Sequence, residues 1–173
     1  LIFAAFMFAL GYKKTGLGKR VSLVMIKYMG KSSLGLGYAV AFSDLVLSPF
    51  MPSNTARSAG TIYPVASNIP LIFDSTPEHE PRKLGAYISW VAIATTCVTS
   101  SMFLTALAPN LLAVDLINKG TGHMISWGAW ASIMLPLMIP LFLLTPWLVY
   151  VVYPPTQKTS PEAPAWAAEE LKK

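Results

Sequence analysis

Ser53, Asn54 and Thr55 bring hydroxyl and amide groups together in a chain where only 12% of residues are charged. Pro52 precedes them and an apolar run follows, the pattern of a turn that opens a helix. The first amides of such a helix have no partner within it and carry the positive end of the dipole. They can therefore hold a carboxylate without a dedicated cation. Backbone and hydroxyl oxygens at the same turn can coordinate a hard monovalent cation such as sodium. A plain N-cap uses the same residue types, so the tripeptide alone does not separate binding from capping. Arg57 lies four residues past Ser53, one turn along and on roughly the same face. Its guanidinium can grip a second carboxylate in a fork, or it can neutralise Asp44, the other charge set among apolar residues. Asp44 itself lies far from the turn and reads as structural.

Catalytic chemistry finds no comparable setting. His79 sits in a polar linker and His123 at a loop edge, and neither has Cys, His or acidic neighbours at metal-ligand spacing. No serine stands in G-x-S-x-G, and no histidine falls at the depth of the tripeptide. The segment TGLGKR has Gly and Lys without the Walker spacing. Cys97 is the single cysteine and can form no internal disulfide. The chain reads as no enzyme and needs no cofactor, with sodium the one candidate ion.

The elements that position these residues belong to a bilayer. A soluble domain carries about 25% charge, about twice the share found here, and 54% of this chain is hydrophobic. Fourteen prolines and eleven glycines, largely inside the apolar stretches, argue for broken helices around a polar site. Disorder, a disulfide scaffold and nucleic-acid binding are excluded on the same composition.

Residues 1–12, LIFAAFMFALGY, read as the end of a truncated transmembrane helix. Residues 13–31 read as a basic surface helix, with Leu17, Val21, Val24, Met25, Tyr28 and Met29 near helical spacing and Arg20, Lys27 and Lys31 elsewhere. A soluble amphipathic helix has the same pattern. Residues 32–73 divide at PSNTARS into two arms of roughly 16 to 18 residues, each shorter than the about 20 that a straight crossing needs. This predicts a re-entrant helical hairpin; two tilted spans are the alternative. Residues 74–83 form a polar linker. Residues 84–117 open with a long uncharged stretch whose centre is TTCVTSS, the mark of a broken helix lining a cavity or of hydroxyls bonded back to their own helix. A loop at 118–123, a kinked crossing at 124–153 and a polar tail at 154–173 complete the path.

Charge sets the orientation. With the hairpin returning to its starting side, eleven of the thirteen Lys and Arg lie on one side, which the positive-inside rule makes cytoplasmic. Lys119 lies opposite and Arg57 within the membrane. Two full spans would leave these sides unchanged.

The neighbourhood SDLVLSPFMPSNTARSAGTIYP, with TGLGKR before it and TSSMFLTALAPNLLAVDL, ISWGAW and EAPAWAAEELKK after it, closely resembles the divalent anion:sodium symporter family. Within it the chain is similar to the bacterial citrate/succinate and tartrate/succinate antiporter branch and to plastid 2-oxoglutarate/malate translocators. The resemblance implies an all-α integral membrane protein in the bacterial inner membrane, part of an inverted-repeat, elevator-type transporter and a homodimer at full length. It implies transport of di- or tricarboxylates by exchange or sodium symport. Asn54 and Thr55 would contact substrate carboxylate, as Arg57 would on the residue reading above; Ser53 and Asn54, with backbone near Ser100, Ser101 and Met102, would form a sodium site. The family often has Gly at the break, where this chain reads TSSMF, and a second repeat that nothing here matches. A non-transporting structural membrane subunit is the alternative function.

Overall fold

A computed structural model describes Gly11 and residues 14–172. Apart from Gly11, the expected helix end at residues 1–12 lies outside the described residues. Helix α1 (Leu17–Met29) begins after Gly16, whose φ of 67° is a left-handed conformation open to glycine, and stops at Gly30. Helix α2 (Ser33–Leu47) is capped by Ser32, whose side chain accepts the Gly35 amide, and Pro49 and Pro52 follow its end.

The second arm starts at α3 (Asn54–Arg57) and widens into a π turn at Ser58–Ile62. Short helices α4 (Tyr63–Ala66) and α5 (Asn68–Ile72) complete it. The π turn follows from Pro64, which has no amide proton for the Gly60 carbonyl four residues back. The ladder shifts by one residue and the Tyr63 N–H donates to the Ser58 carbonyl.

Helix α6 (Gly85–Met102) leads to a break at residues 103–107 with a 3-10 turn at Leu104–Ala106. Helix α7 (Ala108–Thr121) resumes beyond it. The break falls past TTCVTSS, because nothing in that hydroxyl run opposes helix, whereas Pro109 can neither donate to the Thr105 carbonyl nor sit beside it. The expected loop at 118–123 moves likewise: α7 holds to Thr121, ends at Gly122 with φ 73°, and the connection is residues 122–126. Helix α8 (Trp127–Val152) is 26 residues, about 39 Å. Among the described residues it is the one helix long and apolar enough to cross a membrane alone. Helix α9 (Glu162–Glu170) closes the chain.

Helices α2 and α6 run side by side in the same direction. Tyr87 faces Gly37 so closely that a Cβ there would lie 2.1 Å from the Tyr87 hydroxyl, and farther along Asp44 meets Thr99. Helix α8 returns against α6: Trp130 donates to the Ser101 carbonyl at 3.1 Å, and Tyr87 to the Pro146 carbonyl at 3.2 Å. The core between the hairpin, α1, α6 and α9 contains Leu23, Ile26, Leu36, Ile69, Tyr87 and Ala163.

Helix α1 does not lie apart from this core. It runs back along α2, with Gly18 against Leu47 and Thr61 and Gly30 against Leu36. Its apolar residues divide accordingly. Val21, Met25 and Met29 pack inward around buried Leu23 and Ile26, while Leu17 and Tyr28 remain exposed.

The base of the hairpin is stapled by the tail. Amides of Thr156 and Gln157 donate to the carbonyls of Arg82 and Lys83, Ser33 donates to Lys158, and Ser160 to Lys31. Both ends of the hairpin, the start of α6 and the end of α8 thus share one end of the bundle.

Candidate functional site

At the other end, the hairpin tip meets the helix break. Pro49 ends α2 and cannot donate, but its carbonyl accepts the Thr105 hydroxyl at 2.7 Å. The Pro52 carbonyl accepts the Ala108 amide at 3.1 Å, so the tip supplies the first turn of α7 with an acceptor. Asn110 closes the other side of the break, its side-chain amide donating to the carbonyls of Ser100 at 2.8 Å and Phe103 at 3.2 Å. These are carbonyls that a helix end leaves without partners. Asn110 was missed as a site residue in sequence; its signal was an amide side chain directly after the helix-breaking Pro109.

Ser53 is the N-cap of the second arm, its hydroxyl accepting the Ala56 amide at 3.3 Å. Asn54 Oδ1 accepts the Thr55 amide at 2.8 Å and the Thr55 hydroxyl at 3.4 Å. The turn therefore caps itself, as the capping alternative requires. With Oδ1 turned back on the backbone, the Asn54 NH2 group is the donor left to face outward. Ser53 and Asn54 are half-buried, and Thr55 is exposed.

Arg57 is wholly buried. Its Nε donates to Asp44 Oδ1 at 3.0 Å, and Nη1 donates to the carbonyls of Met51 at 3.0 Å and Ala106 at 3.1 Å. Nη2 reaches the hydroxyls of Ser100 at 3.2 Å, Thr99 at 3.4 Å and Thr96 at 3.5 Å. The other oxygen of Asp44 accepts the Thr99 hydroxyl. Five guanidinium protons thus have acceptors, and no face of the fork is open to an outside carboxylate. The substrate-gripping expectation for Arg57 does not fit this geometry; the ion pair with Asp44 does. A charge buried this deeply is stable only when paired and saturated with hydrogen bonds.

The residues expected to hold sodium come together only in part. Ser100 is buried and its hydroxyl donates to the Thr96 carbonyl while accepting from Arg57. The carbonyls of Ser100 and Ser101 already accept bonds from Asn110 and Trp130. Met102 is buried at the last turn of α6. The hydroxyls of Thr99 and Ser100 both bond back to their own helix and face the guanidinium, so TTCVTSS follows the second of its two readings and is unbroken helix. Among the described residues no group of His, Cys, Asp and Glu is arranged to hold a metal ion.

The bundle thus combines a long apolar helix exposed along much of its surface, a helix broken near its middle, and a polar turn set against that break. The chain belongs to the family described as "Sodium:sulfate symporter transmembrane region", whose pattern matches residues 1–173. It is 53% identical over 172 residues to the L-tartrate/succinate antiporters of Escherichia coli strain K12 and of Shigella flexneri, covering 99% of this chain. The same identity holds for the antiporter of Escherichia coli strain UTI89. The chain spans about a third of these relatives, 35% of their length.

Proposed function

We propose that the whole protein is a secondary transporter of dicarboxylates, of the succinate and tartrate class, and that it works by exchange. The relatives' names supply the substrate class. The observation that carries exchange over sodium symport is the place of Arg57. Its guanidinium fills the space between tip and break and takes up the Met51 and Ala106 carbonyls and the Ser100 hydroxyl, oxygens of the kind a sodium ion would need. The guanidinium, paired with Asp44, occupies the place a coupling ion would need, and it cannot dissociate. Asn54 and Thr55 then contact the substrate carboxylate, the Asn54 NH2 group donating directly and the Thr55 hydroxyl turning from its 3.4 Å contact with Asn54 Oδ1 to donate as well. Ser53 acts as the cap.

In this reading residues 32–73 are a re-entrant hairpin entered from the cytoplasmic side of the inner membrane. The tip, α6 and α7 belong to one repeat of an inverted pair, and the homodimer moves this body as an elevator. The staple at residues 156–160 and the packing of α8 along α6 support movement as one body.

Proteoliposomes of the full-length protein, loaded with succinate and diluted into labelled L-tartrate, provide the test. Exchange should proceed at equal rates with sodium replaced throughout by choline. An absolute requirement for sodium would overturn the reading of Arg57 as filling the ion's place and return Ser53, Asn54 and residues 100–102 to a sodium site.

A further inference from the structure

Helix α1 carries Lys19, Arg20 and Lys27, Lys31 follows two residues after its end, and the helix has no acidic residue. Positions 20, 24, 27 and 28 recur at helical spacing on one stripe, directed away from the buried face of Gly18, Ser22 and Ile26, and Lys31 lies just past the helix end. Arg20, Lys27 and Lys31 are exposed along it, and Tyr28 beside them is 74% exposed. Because α1 is antiparallel to α2, Lys31 sits at the stapled base while Gly18 touches Leu47 and Thr61, toward the tip. Between Met29, two residues before Lys31, and Arg20 the helix climbs about 14 Å. The basic residues therefore form a line that runs alongside the hairpin from its base toward Ser53–Thr55, not a patch spread across a flat surface.

Charges in such a line cannot lie against hydrocarbon, since each unpaired ammonium or guanidinium there is strongly disfavoured. Neighbouring α9 contributes the carboxylates Glu162, Glu169 and Glu170, and Lys19 is joined to Glu170 at 3.1 Å. Among the described residues Arg20, Lys27 and Lys31 hold no carboxylate. This flank of the hairpin is thus lined by exposed cations.

We infer that the outward face of α1 is a steering ladder, with Arg20 and Lys27 drawing dianionic substrate along the hairpin toward the tip. The inference rests on the functional reading above and adds to it residues that never touch bound substrate. Fixed charges of one sign along a wall raise the capture rate of an opposite charge and do so less as salt screens them.

The test uses the full-length protein in proteoliposomes of known orientation, with succinate exchange followed from each face at low and high ionic strength. In the double variant Arg20→Gln with Lys27→Gln, kcat/KM from the base face should fall about 3- to 10-fold at low salt, and the gap should close at high salt. The value of kcat, and KM from the opposite face, should not change. Arg20→Lys with Lys27→Arg should behave as the parent. Unchanged base-face kcat/KM with an unchanged salt dependence overturns the ladder. So does an equal loss from both faces, which marks general damage; Lys27→Gln alone, at an exposed position, repeats the measurement with less risk to folding. A parent protein that exchanges no dicarboxylate overturns the functional reading instead.

Discussion

Asp44 and Arg57 sit on opposite arms of the hairpin and meet at 3.0 Å, with side chains 3% and 0% exposed. The pair closes the hairpin below its tip, and the same guanidinium reaches across to the Ala106 carbonyl in the helix break. One side chain therefore fixes the spacing of three segments that the backbone alone leaves independent.

Arg57→Ala should lower stability by about 3 to 5 kcal/mol, because it strands the Asp44 carboxylate in a dry interior. The double variant Asp44→Ala with Arg57→Ala should recover much of the loss. Melting temperatures of the full-length protein in detergent check this; a single variant as stable as the double would show that the pair is not coupled.

Asn54→Ala and Thr55→Ala should weaken succinate binding by about 0.5 to 1.5 kcal/mol each, or about 1.5 to 3 where the partner is a carboxylate. Folding should survive, since Ser53 still caps the arm. Calorimetric titration measures the affinity. Parent-like binding in both variants would make them caps only.

Asn110→Ala should destabilise the break by about 1 to 3 kcal/mol through the uncovered Ser100 and Phe103 carbonyls. Asn110→Asp should not rescue it, because a carboxylate has no proton to give them. Melting temperatures of the two variants are the readout.

Cysteines placed singly at 31, 54 and 82 in a Cys97→Ser background test the path of the hairpin. Positions 31 and 82 should react with an impermeant reagent from the cytoplasmic side only. Position 54 should be protected by substrate. Free periplasmic labelling at 54, unaffected by substrate, would instead favour two full spans.

Much of this arrangement is legible in residue order. Two short apolar arms around Pro49, Pro52 and a capping tripeptide already give a hairpin, and two isolated charges in apolar surroundings must be paired or functional. The choice between those roles for Arg57 was not legible, because it depends on acceptors at Met51, Ala106 and Ser100 that only the folded tip assembles. The position of the break was misread for a local reason. Hydroxyl residues look like breakers, yet Thr99 and Ser100 sit comfortably in helix by bonding one turn back, and Pro109 ends the run instead. Helix α1 misled through periodicity: its apolar residues share a broad arc, and which edge of it turns inward is decided by α2 and α9.

The tail staple also bears on the order of events during synthesis. Ser160 completes its hydrogen bond to Gly30 across 130 residues, and the neighbouring bonds join Lys31 to Ser160 and Ser33 to Lys158. Contacts so distant along the chain form late, because their loop must first exist and then close. While the ribosome is still making α8, the hairpin has its tip turn but an unfastened base. Its two arms stay unjoined at the base until residues 156–160 emerge and form these bonds. Truncation just before Thr156 should trap nascent chains at that unlocked stage.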